Sequence, residues 1–227
     1  MNEYVIEVKR LKKSFLLPSG EILEILKGID FSLKMGATCS IVGASGAGKT
    51  TFLHIIGLLD SPTEGKILYF GKNIDFLSHD EKAVFRNKNI GFVFQMHYLL
   101  PEFTALENAI MPLLIAGIDI KEAKERALEL FEIVGLKDRL NHKPGQLSGG
   151  EQQRVSLIRA FITYPKIILA DEPTGNLDKK NAKIITELFL KLNMQYNTSI
   201  VLVTHNEELA SMMQFKYKID DGVIIAL

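Results

Sequence analysis

Short apolar runs alternate along this chain with stretches whose apolar residues recur every three to four positions. The runs Thr38 to Val42, Lys66 to Phe70, Ile90 to Phe94, Ile167 to Ala170 and Ser199 to Val203 read as strands, and a hairpin is expected to close over Asp220-Asp221-Gly222. Between them, Thr51 to Ile56 carries no Gly or Pro and reads as a helix. Lys121 to Val134 places Ala123, Ala127, Leu130, Phe131 and Val134 on one helical face and Glu122, Lys124, Glu125, Arg126 and Glu129 on a solvated one. A further helix is expected from Asn181 through Leu192, with Ile184, Ile185, Leu188, Phe189 and Leu192 as its buried stripe. The first ten residues alternate charge with apolar side chains, which predicts an edge strand and not a signal peptide. Strands alternating with helices predict an α/β protein with a largely parallel sheet.

Composition narrows the class. With 227 residues, 47% of them hydrophobic, the chain can bury a large core, most simply as one α/β domain with a smaller subdomain. Lys plus Arg and Asp plus Glu each total 27, so the basic excess that nucleic-acid binding leaves is missing and no nucleic acid is expected as partner. The single cysteine, Cys39, falls in an apolar strand, where a buried thiol in a reducing compartment is expected. Tyr98 to Ile118 is the most apolar region, but Pro101, Glu102, Glu107, Asn108 and Pro112 interrupt it, so no membrane span is expected there. Pro18-Ser19-Gly20 and Pro62-Thr63-Glu64-Gly65 are expected to form surface turns.

Chemistry concentrates in three places. Gly43-Ala44-Ser45-Gly46-Ala47-Gly48-Lys49-Thr50 lies between an expected strand and an expected helix, the context a P-loop requires. Its glycines let successive amide hydrogens turn inward onto phosphate oxygens, and the helix start adds partial positive charge. Lys49 would reach the β- and γ-phosphates of ATP, Thr50 would place its hydroxyl on Mg²⁺, and Thr51 follows in the same ATP-binding stretch. A plain Gly-rich turn is the competing reading. Lys166 to Ala170 then ends in two carboxylates, and a strand end is where α/β sheets place their chemistry. Asp171 is suited to hold Mg²⁺ through water and Glu172 to polarise the water that attacks the γ-phosphate, unless the pair only caps the next element.

Leu147-Ser148-Gly149-Gly150-Glu151 precedes the helical run Gln152 to Phe161. Ser148 and the bare amides of Gly149 and Gly150 could bind a phosphate, while the spacing of Ser148 and Glu151 equally fits a capping box. These motifs, in this order, resemble the ATP-binding-cassette (ABC) ATPase family over nearly the whole chain. The resemblance implies a P-loop NTPase fold with a RecA-like, mostly parallel core sheet, a small antiparallel β subdomain and an inserted α-helical subdomain. It places the nucleotide-binding core in residues 1–95 and 160–227 and the helical, signature-bearing part in 96–159. It makes Phe15 the aromatic that stacks on adenine, although many relatives carry Tyr there. It makes Gln95 a lid-loop glutamine touching Mg²⁺ and water, and His205 a switch histidine on the γ-phosphate. Gly175-Asn176-Leu177-Asp178 becomes a loop that crosses between subunits. Catalysis would thus involve Glu172, His205 and Lys49; His54, His79, His97 and His142 are read as surface or packing residues.

The same resemblance implies an ATP-dependent homodimer, head to tail, in which Ser148, Gly149, Gly150 and Asp178 of one copy complete the site of the other. With no span of its own, such an ATPase is expected at the cytoplasmic face of a bacterial inner membrane, working two integral membrane permease subunits that dock near Gln95 to Phe103. Within the family, Gly91 to Asn108 and Asp171 to Asp178 resemble ATPase subunits of bacterial lipoprotein-releasing transporters, a branch that also holds ATPases of macrolide and peptide exporters and of a cell-division complex. Soluble ABC proteins acting on DNA or ribosomes are disfavoured by the lack of heptads, of a second cassette and of a basic patch. A small-molecule kinase would not need Ser148-Gly149-Gly150, and a non-catalytic scaffold would not need Lys49, Asp171, Glu172 and His205 together.

Overall fold

The computed structural model describes residues 3–227. In chain order the elements are β1 (Tyr4–Leu16), β2 (Ile22–Lys34), β3 (Thr38–Val42), α1 (Lys49–Ile56), β4 (Glu64–Tyr69), β5 (Lys72–Asn73), α2 (His79–Asn89), β6 (Ile90–Phe94), α3 (Ala105–Ile115), α4 (Ile120–Ile133), α5 (Gly149–Phe161), β7 (Ile167–Asp171), α6 (Lys179–Tyr196), β8 (Ser199–Val203), α7 (Glu207–Ser211), β9 (Phe215–Asp220) and β10 (Val223–Ala226). All five expected strands and the closing hairpin are present, the hairpin turning on Asp221 and Gly222 with φ of 46° and 77°. The chain divides into two compact units, one running up to Ala83 and including Leu169–Asp171 and Ser199–Leu227, the other made of Val84–Ile168 and Glu172–Thr198.

The first unit holds an antiparallel sheet of order β2-β1-β4-β5 and the run β10-β9-β3-β8-β7 of a second sheet, in which β3 is parallel to both β8 and β9. Every residue of β3 and β8 is buried, as central strands covered on both faces require. Phe31 of β2 meets Phe52 of α1 and Tyr217 of β9 edge-on, at ring separations of 5.5 and 5.3 Å, which ties the P-loop helix into the core. Cys39 is buried, and that burial pushes its thiol far above the ordinary range, leaving it inert.

Two expectations fail here. The N-terminal strand is not at an edge: β1 lies between β2 and β4. Alternation buries Ile6 and Val8, and irregular register at Tyr4/Ile6 and Val8/Leu11 leaves Val5 and Leu11 buried as well; the same pattern fits an interior strand whose charges stay outside, as the Lys12–Glu64 ion pair at 2.9 Å across to β4 illustrates. Met1 and Asn2, at the start of the expected strand, lie outside the described residues. Glu64 and Gly65 belong to β4 and not to a turn. Gly65, at φ 100°, lies where an added Cβ would come within 2.6 Å of Arg10 O, so glycine there serves a close strand crossing.

The second unit sets β6 beside the start of β7 and packs it with α3 to α6. A Cβ on Gly91 of β6 would lie 2.2 Å from Ala160 O, so α5 rests on this strand at backbone contact. The expected face of α4 is buried, and of the α6 stripe Ile185, Leu188, Phe189 and Leu192 are buried while Ile184 is half-buried. Pro101 lies in the loop before α3, and α3 is opened by a Thr104–Glu107 capping box and carries Pro112 inside it. Buried Asn108 receives Leu100 N–H at 2.8 Å and donates to Leu100 O, Phe103 O and Thr104 O, closing the loop before that helix. Among the described residues no helix is long and apolar enough to cross a membrane.

Candidate functional site

In the first unit, three sequence-selected groups follow neighbouring strands of the second sheet. The glycine loop leaves β3 after Val42, His205 follows β8 after Thr204, and Asp171 is the last residue of β7. Thr204 N–H bonds Ile41 O at 3.2 Å, and its hydroxyl accepts from Asn206 N–H, while Asn206 caps α7 through Glu208 and Leu209 N–H. His205 is thereby set, exposed, on a short fixed bend.

The loop itself is shaped by conformations only glycine adopts cheaply. Gly43, Gly46 and Gly48 have φ of 154°, 78° and 98°, and a Cβ on Gly43 would lie 2.3 Å from Ile219 O. Lys49 Nζ donates to Gly43 O and Ala44 O, both at 2.9 Å, so its stem spans the loop and its ammonium stands at the loop's entrance. Gly48 caps α1 without a side chain, and the first turn holds no acidic residue. A helix leaves its first amides without intrahelical partners, so this end offers donors and positive potential with no carboxylate competing for them. That donor set fits a polyphosphate.

Phe15, at the end of β1, is 42% exposed, with the Lys13 ammonium 4.8 Å from its ring centroid. Thr50, Gln95 and Asp171 offer hydroxyl, amide and carboxylate oxygens, the hard donors Mg²⁺ takes. Among the described residues no group of three or more His, Cys, Asp or Glu could hold a metal unaided. A cation that draws most ligands from phosphates and water has no need of one.

In the second unit, the remaining candidates meet around the loop after β7. Glu172 has φ 45°, a left-handed conformation that a non-glycine residue adopts at a price in strain, and functional sites concentrate such positions. Gln95, first after β6, donates from Nε2 to Asn176 Oδ1 at 3.1 Å and accepts at its own carbonyl from Asn176 Nδ2 at 3.3 Å. Gly175 lies so close that a Cβ would come 2.9 Å from Gln95 Nε2. Asp178 caps α6 through Asn181 N–H at 2.9 Å and accepts Asn181 Nδ2 at 2.6 Å, and Asn181 Oδ1 lies where a Cβ on Gly150 would be, at 2.5 Å. Gly149 faces Leu177. Ser148, Gly149, Gly150 and Asp178 therefore stand together.

The capping-box reading of Ser148 holds. Its hydroxyl donates to Glu151 Oε2 at 2.9 Å and accepts Glu151 N–H at 3.3 Å, while Ser148 N–H bonds Glu151 Oε2 at 2.8 Å. Arg139 adds a contact at 3.0 Å, and the Ser148 backbone bond with this guanidinium holds the Glu151 carboxyl down at about 2.

Residues outside the sequence-selected set complete the unit. Gln153, fully buried, donates to Pro173 O at 2.7 Å and bonds His97 Nδ1; Arg159 donates to Tyr98 O and His97 O, both at 2.7 Å. Burial pushes the His97 imidazole below its ordinary range, and the Arg159 charge pushes the same way. A packing role for His97 stands, but a polar one. The legible sign was Gln153 itself, an amide on the same α5 face as Leu157 and Phe161, where a buried polar group must find partners.

A glycine loop closed by its own lysine, followed by a side-chain-free helix start on a mostly parallel sheet, defines a P-loop nucleotide-binding cassette. The ABC transporter family model matches residues 26–175, and the chain belongs to that family. It is 48% identical over 221 residues to the lipoprotein-releasing system ATP-binding protein LolD of Syntrophus aciditrophicus, covering 97% of this chain and 99% of that one. It is 52% identical over 202 residues to the protein of the same name from Aquifex aeolicus, covering 89% and 90%. Among solved structures it resembles a dimeric bacterial ABC transporter cassette, with TM-score 0.89, 41% identity and 96% of each chain covered. A post-hydrolysis dimer of that cassette bound to ADP and Pi superposes with TM-score 0.89 at 40% identity, again over 96% of each chain. The chain is an ABC-type ATPase.

Proposed function

We propose that this chain is the ATP-hydrolysing subunit of a bacterial inner-membrane transporter that releases lipoproteins towards the outer membrane, working as a peripheral protein on the cytoplasmic face. The observation that carries it is the near-full-length identity to ATP-binding proteins named for lipoprotein release, spread over several bacterial groups. Within the cassette, residues 1–95 and 160–227 are assigned to nucleotide binding and 96–159 to the helical part.

Phe15 stacks on adenine; the Gly43, Ala44, Ser45, Gly46, Ala47, Gly48, Lys49, Thr50 and Thr51 stretch surrounds the phosphates; Thr50, Gln95 and Asp171 hold Mg²⁺. When held by Thr50, Gln95 and Asp171, Mg²⁺ would supply charge neutralisation at the phosphate oxygens. Glu172 accepts a proton from the attacking water and His205 and Lys49 steady the γ-phosphate. Ser148, Gly149, Gly150 and Asp178 serve the ATP of the partner copy, so ATP closes a homodimer and hydrolysis reopens it. The segment Gln95 to Phe103, with Met96 and Tyr98 62% and 66% exposed, meets two permease subunits.

Affinity purification of the tagged chain from solubilised native membranes, with mass spectrometry of what co-elutes, tests the assignment. Lipoprotein-releasing permease subunits are expected; a different permease or a division protein would overturn the cargo while leaving the ATPase chemistry. Glu172→Gln is expected to bind ATP and accumulate as a dimer in light scattering, with turnover reduced by ~10² to 10⁴; a monomer under excess Mg²⁺ and ATP would refute the dimer reading.

A further inference from the structure

The end of β1 carries a side-chain cluster with no role so far. Lys13 Nζ donates to Asp60 Oδ1 and to Ser61 O, both at 2.8 Å, and the same ammonium lies 4.8 Å from the centroid of the Phe15 ring. Its side chain is only 12% exposed, whereas Phe15 is 42% exposed. A lysine free in water samples many rotamers; this one is fixed by two hydrogen bonds with the ring beside it.

The partners of Lys13 belong to the turn that ends the P-loop helix. Leu59 N–H and Asp60 N–H both return to His54 O in α1. The same turn is stitched to β1 twice more, through Thr63 N–H to Lys12 O at 2.9 Å and Ser14 N–H to Thr63 Oγ1 at 3.0 Å. The helix that begins at the phosphate loop therefore holds, at its other end, the strand that carries the aromatic ring.

We propose that Lys13 is a positioning residue for the nucleotide base: fixed by Asp60 and Ser61, it covers one part of the Phe15 ring and holds the ring so that the purine stacks on what stays open. The inference rests on the reading of Phe15 as the base-stacking residue. A phenyl ring has no hydroxyl with which to anchor itself, so its orientation must come from neighbours. The cation–π contact supplies one, and an ordered ring loses less freedom when a base settles on it. Asp60 keeps the ammonium from being a bare charge beside an apolar ring.

Calorimetric titration of the purified chain with ATP, ADP and tripolyphosphate, beside steady-state ATPase kinetics, tests this. Lys13→Met keeps the stem and removes the charge. It should weaken ADP and raise KM for ATP about three- to tenfold, with kcat at saturating ATP and affinity for tripolyphosphate kept. Lys13→Arg should restore most of the loss, and Asp60→Asn, a milder change that keeps an acceptor, should show the same pattern reduced. Equal weakening of ADP and tripolyphosphate in Lys13→Met would overturn the inference, since it would make Lys13 a brace for α1 alone. Phe15→Ala separates the two readings. If it weakens ADP relative to tripolyphosphate while Lys13→Met does not, Lys13 is excluded and Phe15 stands; if Phe15→Ala leaves that ratio unchanged, the reading of Phe15 falls and this inference with it.

Discussion

The two helix starts to which we assign the phosphate chemistry are built on opposite plans. At α1 the cap is Gly48 in a left-handed conformation, with no capping side chain and no acid in the first turn. At α5 the cap is Ser148, closed in a reciprocal box with Glu151, whose carboxylate also meets Arg139. The first end leaves its amides to a ligand, so it can bind an anion unaided. The second has already answered its serine hydroxyl and part of its positive potential with its own carboxylate. It can add to a phosphate site that another element has begun but is poorly placed to begin one. That asymmetry gives a physical reason for a cassette in which one loop captures ATP and the other engages only across a dimer.

The sharpest way to break the contrast is at Gly43. An alanine Cβ would stand 2.3 Å from Ile219 O, against backbone that cannot swing aside. Gly43→Ala should weaken ATP binding by more than about 100-fold, since the loop must open to relieve the clash. Titration with a fluorescent ATP analogue, with a melting curve to show the fold persists, checks it, and affinity within tenfold of the parent would refute the close-packing account. Gly150→Ala strikes the other start more gently. The added methyl would meet Asn181 Oδ1 at 2.5 Å, and Asn181 is tethered to Asp178. The side chain can yield, so ATP capture by the monomer should stay within about twofold while steady-state hydrolysis falls about tenfold. Loss of capture in equal measure would mean the two starts are not independent.

The same contrast was only half legible in the sequence. The glycine loop announced itself, because three glycines and a lysine between a strand and a helix have few other uses, and its three strained φ values are the reason those glycines are there. The α4 face was legible because one period governs it, and the five strands because each contains a short apolar run. What escaped was long-range pairing. The 13-residue strand β2 alternates only over Ile29 to Lys34, and the period is lost before it, where the register with β1 shifts at several bulges. The place of β1 inside its sheet depends on β2 and β4, and no local pattern carries that. Helix α2 buries no residue, so no apolar stripe marked it. At the site, Gln95 and Asn176 are 81 residues apart yet share hydrogen bonds, and Lys13 reaches Asp60 across 47. The family pattern named Gln95 and Asn176 in separate loops without pairing them, and it named neither Lys13 nor Asp60, because no local pattern carries a contact across that separation.

The smallest effect concerns the box itself. Glu151 is held at about 2 in the folded chain, first by the Ser148 amide and then by Arg139, against an ordinary glutamate value of about 4.3. Its folded value is depressed, so its contribution to stability is complete above the unfolded value and is lost as pH falls through the folded one. Glu151→Gln keeps a residue that capping boxes accept but gives up the charge. At neutral pH the variant should melt about 2 to 4 °C below the parent, the size expected when about 1 kcal/mol is removed from a chain this long. On acidification from about pH 4.3 towards about pH 2 the parent should lose that lead, as the unfolded and then the folded carboxylate takes up its proton. Melting curves for both proteins across that range decide it. A lead that stays constant would mean that the charge of Glu151 contributes nothing to the box and that neutral hydrogen bonds alone close the α5 cap, which would leave its positive end freer for an incoming phosphate than the comparison with α1 allows.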